Sequence, residues 1–410
     1  MKPEHLYVHV PFCLRRCSYC DFAVQAVRRA PVDAWLGAIE AELSGIANAR
    51  GWSDPLQLTT LYVGGGTPSL LGCGAMAALA RGLAGYARWD PDAIEWTAEA
   101  NPESLTAEVA ADWREAGVNR ISLGIQTFDE RVLRWMGRLH GAEGARAALD
   151  AARGAGLTNF SVDLIFALPR RLERDLASDL DAVLRLEPPH VSLYGLTAEP
   201  STPLGKWVNT GRERLPDAEV YADEYLLAVD RLTRAGYRHY EVSNFALPGH
   251  ESRHNIAYWR RVPYLGLGPG AHSYLPPERF WNERGWDTYR ALVQGAESPV
   301  AAREIVDEAA AALERIWLGL RTAEGLASGS LSAGQQRLAR AWAARGWAEM
   351  SDDSVRLTAE GWLLLDRLAV ELDAARGSAL DAAPAHASHS TAAGHPKVGA
   401  AHEPSDTHGA

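Results

Sequence analysis

An α/β fold, an open or partial barrel of six β/α units, is predicted by three features of this 410-residue sequence. Short apolar strands alternate with amphipathic helices through the first half, the pattern of parallel strands with helices packed outside them. The units are too few for the complete barrel of eight. Polar and glycine-rich segments follow the strands, at the end where barrels of this kind carry their sites.

The candidate strands are 6–10, 60–63, 95–98, 120–125, 160–165 and 190–194. Each is short, apolar or β-branched, and bounded by Gly, Pro or Asn. Between them, Leu36, Ile39, Leu43 and Ile46 recur at three- and four-residue steps, which places them on one helix face. Similar helices fit 75–86, 108–116, 143–155 and 176–186. Beyond residue 200 a long helix is predicted over 217–235, then a loop-rich stretch over 240–286 dense in aromatics, Gly and Pro. The chain turns helical again from 307, and 348–372 reads as two short strands around SDDS followed by a helix. The expected organisation is a barrel core over 1–235, a mostly helical, winged-helix-like region over 236–373, and a tail over 374–410. The tail has no Phe, Trp or Tyr and cannot bury enough apolar surface to offset the entropy of ordering. Its five histidines, His386, His389, His395, His402 and His408, are read as a disordered tract rather than a metal site.

Composition narrows the function. A net charge of −11 argues against a general binder of phosphate backbones, so no nucleic-acid partner is expected. No apolar run is long enough to span a membrane, and the first residues, MKPEHLYVHVPFC, carry no secretory pattern, so a cytoplasmic protein is expected. Four cysteines cannot be a disulfide scaffold, and three of them fall together as C-x3-C-x2-C: Cys13, Cys17 and Cys20, directly after the first strand. Three thiolates can hold three irons of a 4Fe-4S cluster and leave the fourth iron open to a small molecule. Two alternatives stand beside this. Zinc could take the three cysteines with His9, although no second cysteine knuckle exists. The thiols could also be buried and inert, although CLRRCSYC is polar and Arg15 and Arg16 read as solvated surface. Cys73 stands alone and is expected to be a buried, inert thiol.

The cysteine spacing after strand one resembles the radical S-adenosylmethionine (SAM) superfamily, whose open iron is chelated by the amino and carboxylate groups of SAM. The resemblance gives GGGTPS, at 64–69, the role of the glycine motif that contacts the SAM amino group, and so points to Gly65, Gly66 and Thr67. Tyr19 matches the aromatic that lies against the adenine. The ordered set LYVHVPFCLRRCSYCDF, GGGTPS, EANPE, GIQTF, GRLH and VDLIFALP is similar to the oxygen-independent coproporphyrinogen III oxidase family over 6–372. That similarity implies that Tyr7, Gly65 and Glu99 lie near the cluster-bound SAM, and that Gln126, Arg138 and Asp163 surround a second one. On the residues alone, Glu99 and Asp163 could cap helices and Arg138 could be a surface cation.

Within that family the chain departs from the oxidases. Phe22 stands where they carry a fourth cysteine, and the first strand begins at about residue 6, without their N-terminal extension. HNIAYW, containing His254, Asn255, Tyr258 and Trp259, and YLGLGPGAHSY, containing His272, resemble instead a heme-chaperone branch. The resemblance implies heme as ligand. His254 is then the candidate axial ligand, aromatics cover the macrocycle, and Arg260 and Arg261 meet propionates. On the residues alone, His254 and Asn255 are hydrogen-bonded loop residues and the aromatics are core. The expectation is a heme chaperone that holds a 4Fe-4S cluster and SAM, takes electrons from a donor, and passes heme to an unidentified acceptor protein. No catalytic residue is assigned, and the sequence leaves open whether the chain is an enzyme. The alternatives are the oxidase itself, making protoporphyrinogen IX by two radical decarboxylations, and a related radical SAM methyltransferase.

Overall fold

The computed structural model describes residues 2–377, so the histidines of the tail lie outside the described residues. Six strands form the barrel core in chain order: β1 (His5–Val10), β2 (Thr60–Gly65), β3 (Glu95–Ala100), β4 (Arg120–Gln126), β5 (Phe160–Phe166) and β6 (His190–Gly195). Each pairs in parallel with the next, which the intervening helical crossovers require. The helices are α1 (Val32–Ala49), α2 (Ala75–Leu83), α3 (Ala107–Ala116), α4 (Glu130–Met136), α5 (Ala142–Gly154) and α6 (Leu176–Leu186). On α1, Trp35, Ile39 and Leu43 form the buried stripe against the sheet. The ends are coded locally. The Thr106 side chain accepts from Val109 N–H to start α3, and Gly117, at φ +107°, ends it. The predicted order of strands and helices is borne out. The sequence reading missed α4, a seven-residue helix whose signals are Asp129 at its N-cap and Gly137 after its last turn.

Beyond residue 195 come α7 (Pro203–Asn209) and the long α8 (Ala218–Arg234). The stretch expected to be loop-rich holds β7 (Arg238–Glu241), β8 (Asn244–Ala246), α9 (Arg253–Trp259), β9 (Tyr264–Leu267), β10 (His272–Leu275) and β11 (Glu278–Asn282). Such strands are too short to show a periodicity, and the Gly and Pro between them look like continuous loop. With β12 (Val300–Ile305) they extend the barrel sheet at both edges, giving the order β7-β8-β6-β5-β4-β3-β2-β1-β9-β10-β11-β12. β9 is parallel to β1, with Tyr264 level with His5, and is thus a seventh parallel strand reached from the far side of the barrel. The last region contains α10 (Trp286–Gln294), α11 (Glu308–Leu320), α12 (Ala333–Ala343), α13 (Ala359–Trp362) and α14 (Leu365–Ala374). The hairpin expected around SDDS is present as β14 (Ala348–Met350) and β15 (Ser354–Leu357), with β13 (Leu326–Ala327) at its side. Leu320, Trp342, Leu368 and Leu372 form a core here separate from that of the barrel. No described helix is long and apolar enough to cross a membrane.

Candidate functional site

The cysteine loop leaves the C-terminal end of β1. Cys13, Cys17 and Cys20 are all half-buried, while Arg15 and Arg16 are exposed as expected. Two donors from later parts of the chain address the sulfurs. The Thr67 hydroxyl donates to Cys13 Sγ at 3.4 Å, and Arg138 Nη1 donates to Cys17 Sγ at 3.8 Å. Asn101 joins them: its Nδ2 donates to Thr67 Oγ1 at 3.0 Å and its Oδ1 accepts from Arg138 Nη2 at 2.7 Å. The loops after β1, β2 and β3 and the turn after α4 are therefore tied by one hydrogen-bonded chain, Cys13–Thr67–Asn101–Arg138–Cys17. Arg138 Nη2 also donates to Gly124 O at 2.6 Å, and its buried Nε has no hydrogen-bond partner among the described residues. Arg138 is a cation built into the site rather than a surface charge. Tyr19 is half-buried and packs beside Met136 and Leu196.

A three-thiol set with hydrogen bonds delivered to two sulfurs and a neighbouring guanidinium suits an anionic iron–sulfur cluster, because such donors offset the charge on the sulfurs. Burial pushes the Cys13 thiol up to about 11 and the Cys20 thiol up to about 12, so neither ionises at neutral pH unless a metal takes the place of the proton. His9 does not complete a zinc site. Its Nε2 donates to Ala23 O at 2.9 Å and its Nδ1 meets the Tyr7 hydroxyl at 3.0 Å, so both ring nitrogens are engaged. Among the described residues no three His, Cys, Asp or Glu side chains converge on a single ion. Cys73 differs from expectation. It is exposed, because it sits in a turn between Gly72 and Gly74, both at positive φ, rather than in the core.

The glycine loop answers first to the protein itself. A Cβ on Gly64 would fall 2.8 Å from Glu99 Cδ. One on Gly65, at φ +107°, would meet the His9 ring, and one on Gly66 would lie 2.6 Å from Phe12 O. Gly65 N–H donates to Glu99 Oε2 at 2.8 Å, and the Tyr62 hydroxyl donates to Oε1 at 2.8 Å. Tyr7 stacks on Tyr62 with ring centres 5.9 Å apart. Burial pushes Glu99 up to about 7, against the pull of these two donors. Deeper in the barrel, Asp163 accepts from Ser122 Oγ at 2.9 Å and from Ser161 Oγ at 2.9 Å, and burial raises its pKa as well. Gln126 closes β4 at φ +71°, beside a register shift after Gly124, a strained position for a residue with a side chain.

HNIAYW forms α9, and the helix docks at the other end of the barrel. Ser252 caps it, and the Glu95 carboxylate, on the first residue of β3, accepts from Arg253 N–H and His254 N–H, each at 2.9 Å. His254 Nδ1 meets Thr60 Oγ1, on the first residue of β2, at 2.6 Å. Its Nε2 meets the Tyr258 hydroxyl at 2.8 Å. Ligation of a metal by Nε2 requires Tyr258 to release it. His272 is buried and stacks on Trp281 at 5.5 Å.

The described cofactor and heme candidates from the sequence, except Thr67 and Arg260, line one cavity of about 930 Å³, which runs from the cysteine loop through the barrel to α9. Phe22, 41 % exposed, also lines it. Arg260 instead lines a second cavity of about 890 Å³, bordered also by Glu95 and Arg253, where it pairs with Glu324 at 2.5 Å, and Trp259 and Arg261 border both. The sequence reading missed Tyr62, Asn101, and the serines around Asp163. Their signal is faint: Ser161 with Asp163, and Ser192 with Tyr194, are polar residues two apart in apolar strands, which places them on one face. Register then aligns Asp163 with Gly124 and Ser192 inside the barrel.

Comparisons with known proteins agree with this architecture. The model of the radical SAM superfamily matches residues 7–183. The chain is 40% identical over 368 residues to the heme chaperone HemW of Mycobacterium tuberculosis (strain ATCC 25618 / H37Rv), spanning 89% of this chain and 93% of the relative. It is 39% identical over 274 residues to the heme chaperone HemW of Escherichia coli (strain K12), spanning 67% and 70%. Among solved structures, coproporphyrinogen III oxidase (HemN) from Escherichia coli, a radical SAM enzyme, superposes with a TM-score of 0.75 at 23% identity, covering 91% of this chain and 90% of that one. That likeness shows the shared fold.

Proposed function

The chain belongs to the heme chaperone HemW family, within the radical SAM superfamily, and from that premise we propose that it binds heme and passes it to an acceptor protein. The observation that carries this reading is the single cavity that is lined by the three clustered cysteines at one end and by His254 and Tyr258 at the other. Cys13, Cys17 and Cys20 hold a 4Fe-4S cluster in this reading. Tyr7, Tyr19, Gly65, Gly66, Thr67 and Glu99 receive SAM, with Gln126, Arg138 and Asp163 facing a second SAM position. Cluster and SAM together supply one-electron chemistry when bound.

The protein's own contributions follow from its geometry. Arg138 and Thr67 stabilise negative charge on the sulfurs and fix the loop. Glu99, pushed up to about 7, is poised to ionise when a cationic amino group comes beside it. His9 stays neutral, since burial lowers its pKa to about 4, and its hydrogen bond to Ala23 O holds the descending arm of the cysteine loop. Heme is assigned to the α9 end, with His254 as the axial ligand once Tyr258 yields. α9 and the cysteine loop lie beyond opposite ends of the six-residue β1, a separation of roughly 20 Å at the usual rise per residue. Heme at α9 and the cluster then occupy separate stations of one cavity, as transport regulated by a cluster needs. The protein's four free cysteines fit a reducing cytoplasm, where we place it. The acceptor and the electron donor are proteins of the same compartment.

The test is an anaerobic heme titration followed by transfer. We expect stoichiometric, saturable binding in the Soret band and loss of that band when an apo heme protein is added. Absence of saturable binding overturns the proposal. So does decarboxylation of coproporphyrinogen III at a catalytic rate when SAM and a reductant are supplied, which would favour the oxidase reading.

A further inference from the structure

At the α9 end of the cavity, two guanidiniums grip one carboxylate. Arg261 Nε donates to Glu314 Oε2 at 2.8 Å, and Arg279 Nη2 donates to Glu314 Oε1 at 2.7 Å, so each carboxylate oxygen has its own arginine. Arg261 Nη2 donates to the Tyr274 hydroxyl at 2.7 Å, and both guanidinium carbons lie over the Tyr274 ring, at 5.2 and 5.5 Å from its centre. The hydroxyl, accepting from Arg261, still carries a proton to give. All four side chains line the cavity and keep some access to it, with 12% (Arg261), 19% (Arg279) and 24% (Glu314) of the charged ones exposed. Arg261 is moreover held at φ +54°, a left-handed conformation that costs a residue with a side chain energy and aims it here.

We propose that Arg261, Arg279 and Tyr274 form a seat for a carboxylate of the ligand, a propionate of the porphyrin, and that Glu314 fills this seat in the ligand-free protein. The inference rests on the heme reading above and adds the group that the site recognises. A planar fork on each oxygen is the geometry by which arginine selects carboxylates. Arg279 is also paired with Glu304 at 2.7 Å, so the seat is electrically neutral with Glu314 in place. An incoming carboxylate therefore replaces Glu314 and does not add to it. The aromatic wall beside the seat, Tyr258, Tyr264 and Trp317, gives the macrocycle an apolar surface to lie on. Because Glu314 belongs to α11, which is rooted in the C-terminal core through Ile316 and Leu320, its release reports seat occupancy to that region.

The experiment compares iron protoporphyrin IX with its dimethyl ester, which has the same ring and no carboxylates, by spectral titration of the full-length protein. The wild type is expected to bind the diacid at least about tenfold more tightly than the ester. Arg279→Gln is expected to erase that preference. Glu314→Gln is expected to tighten binding of the diacid about threefold or more, by removing the internal competitor, and to leave the ester unchanged. Equal affinity of the wild type for both porphyrins overturns the seat while leaving the heme reading intact, and this arm needs no variant. A preference that survives in Arg279→Gln overturns it too. Binding of neither porphyrin overturns the heme reading and the seat with it.

Discussion

Replacing Glu42 by Gln should make the protein's stability less sensitive to pH. Glu42 lies in the middle of α1 and is 2% exposed. Its Oε2 accepts from Gly268 N–H at 2.8 Å and from the Tyr289 hydroxyl at 2.5 Å, and its Oε1 accepts from Asn282 Nδ2 at 2.5 Å. These contacts pin α1 to the turn that leads into His272 in β10. Burial outweighs the three donors and pushes the carboxyl up to about 7 from its ordinary 4.5. An acid raised in this way is protonated in the folded protein at pH values where the unfolded chain has released the proton. Its contribution is therefore fully present below about 4.5 and is lost as pH climbs to about 7. At 1.36 kcal/mol per pH unit the whole interval corresponds to ~3 kcal/mol. Glutamine keeps the shape and an acceptor oxygen but never ionises, and the Tyr289 hydroxyl can turn to accept from its amide. Unfolding by urea, followed by tryptophan fluorescence in both proteins from pH 5 to pH 8, should show the variant gaining roughly 2–3 kcal/mol on the wild type across that range. Taking the difference between the two proteins cancels the other titrating groups. A difference that stays flat within about 0.5 kcal/mol would refute a raised Glu42.

Three further outcomes are expected. Cys17→Ser should abolish the iron, the sulfide and the visible absorption of the anaerobically isolated protein, and retention of all three would falsify the cluster assignment. In Gly66→Ala the new methyl would lie 2.6 Å from Phe12 O and 2.8 Å from Val10 O, both backbone atoms that cannot swing away, so a loss of about 2–3 kcal/mol and poorer iron uptake are expected. Unfolding and iron content like those of the wild type would contradict that clash. His254→Ala should weaken heme binding and change its spectrum, whereas Tyr258→Phe, which removes the hydroxyl that meets Nε2, should tighten it. Two variants with unchanged heme spectra and affinities would remove His254 from the heme site.

Much of the site could be read from the chain because its parts are local. The three cysteines lie on one loop, and that loop follows a strand whose apolar run, LYVHV, was plain. α6 was placed at 176–186, the bounds it has in the structure, because its apolar residues keep a helical period, and Asp175 caps it there. HNIAYW could be recognised but not located. Its place at the N-terminal ends of β2 and β3 depends on Glu95 and Thr60, more than 150 residues away in sequence. Cys73 was misplaced for the opposite reason: the turn that exposes it is set by two glycines at positive φ, and residue type alone favours the core.

By itself the sequence determined the alternation of the six barrel strands with helices and the clustering of three thiols after β1, since these are written in spacings of two to seven residues. Tertiary structure alone decided which distant side chains meet. It brought Arg138 to Cys17, set the Gly65 amide on Glu99, made β9 a seventh parallel strand, and laid Glu314 between Arg261 and Arg279. The physical reason is that strand register and helix docking are fixed by burial of the whole apolar face at once, so the partner of a polar group is chosen by the fold and not by its neighbours in the chain.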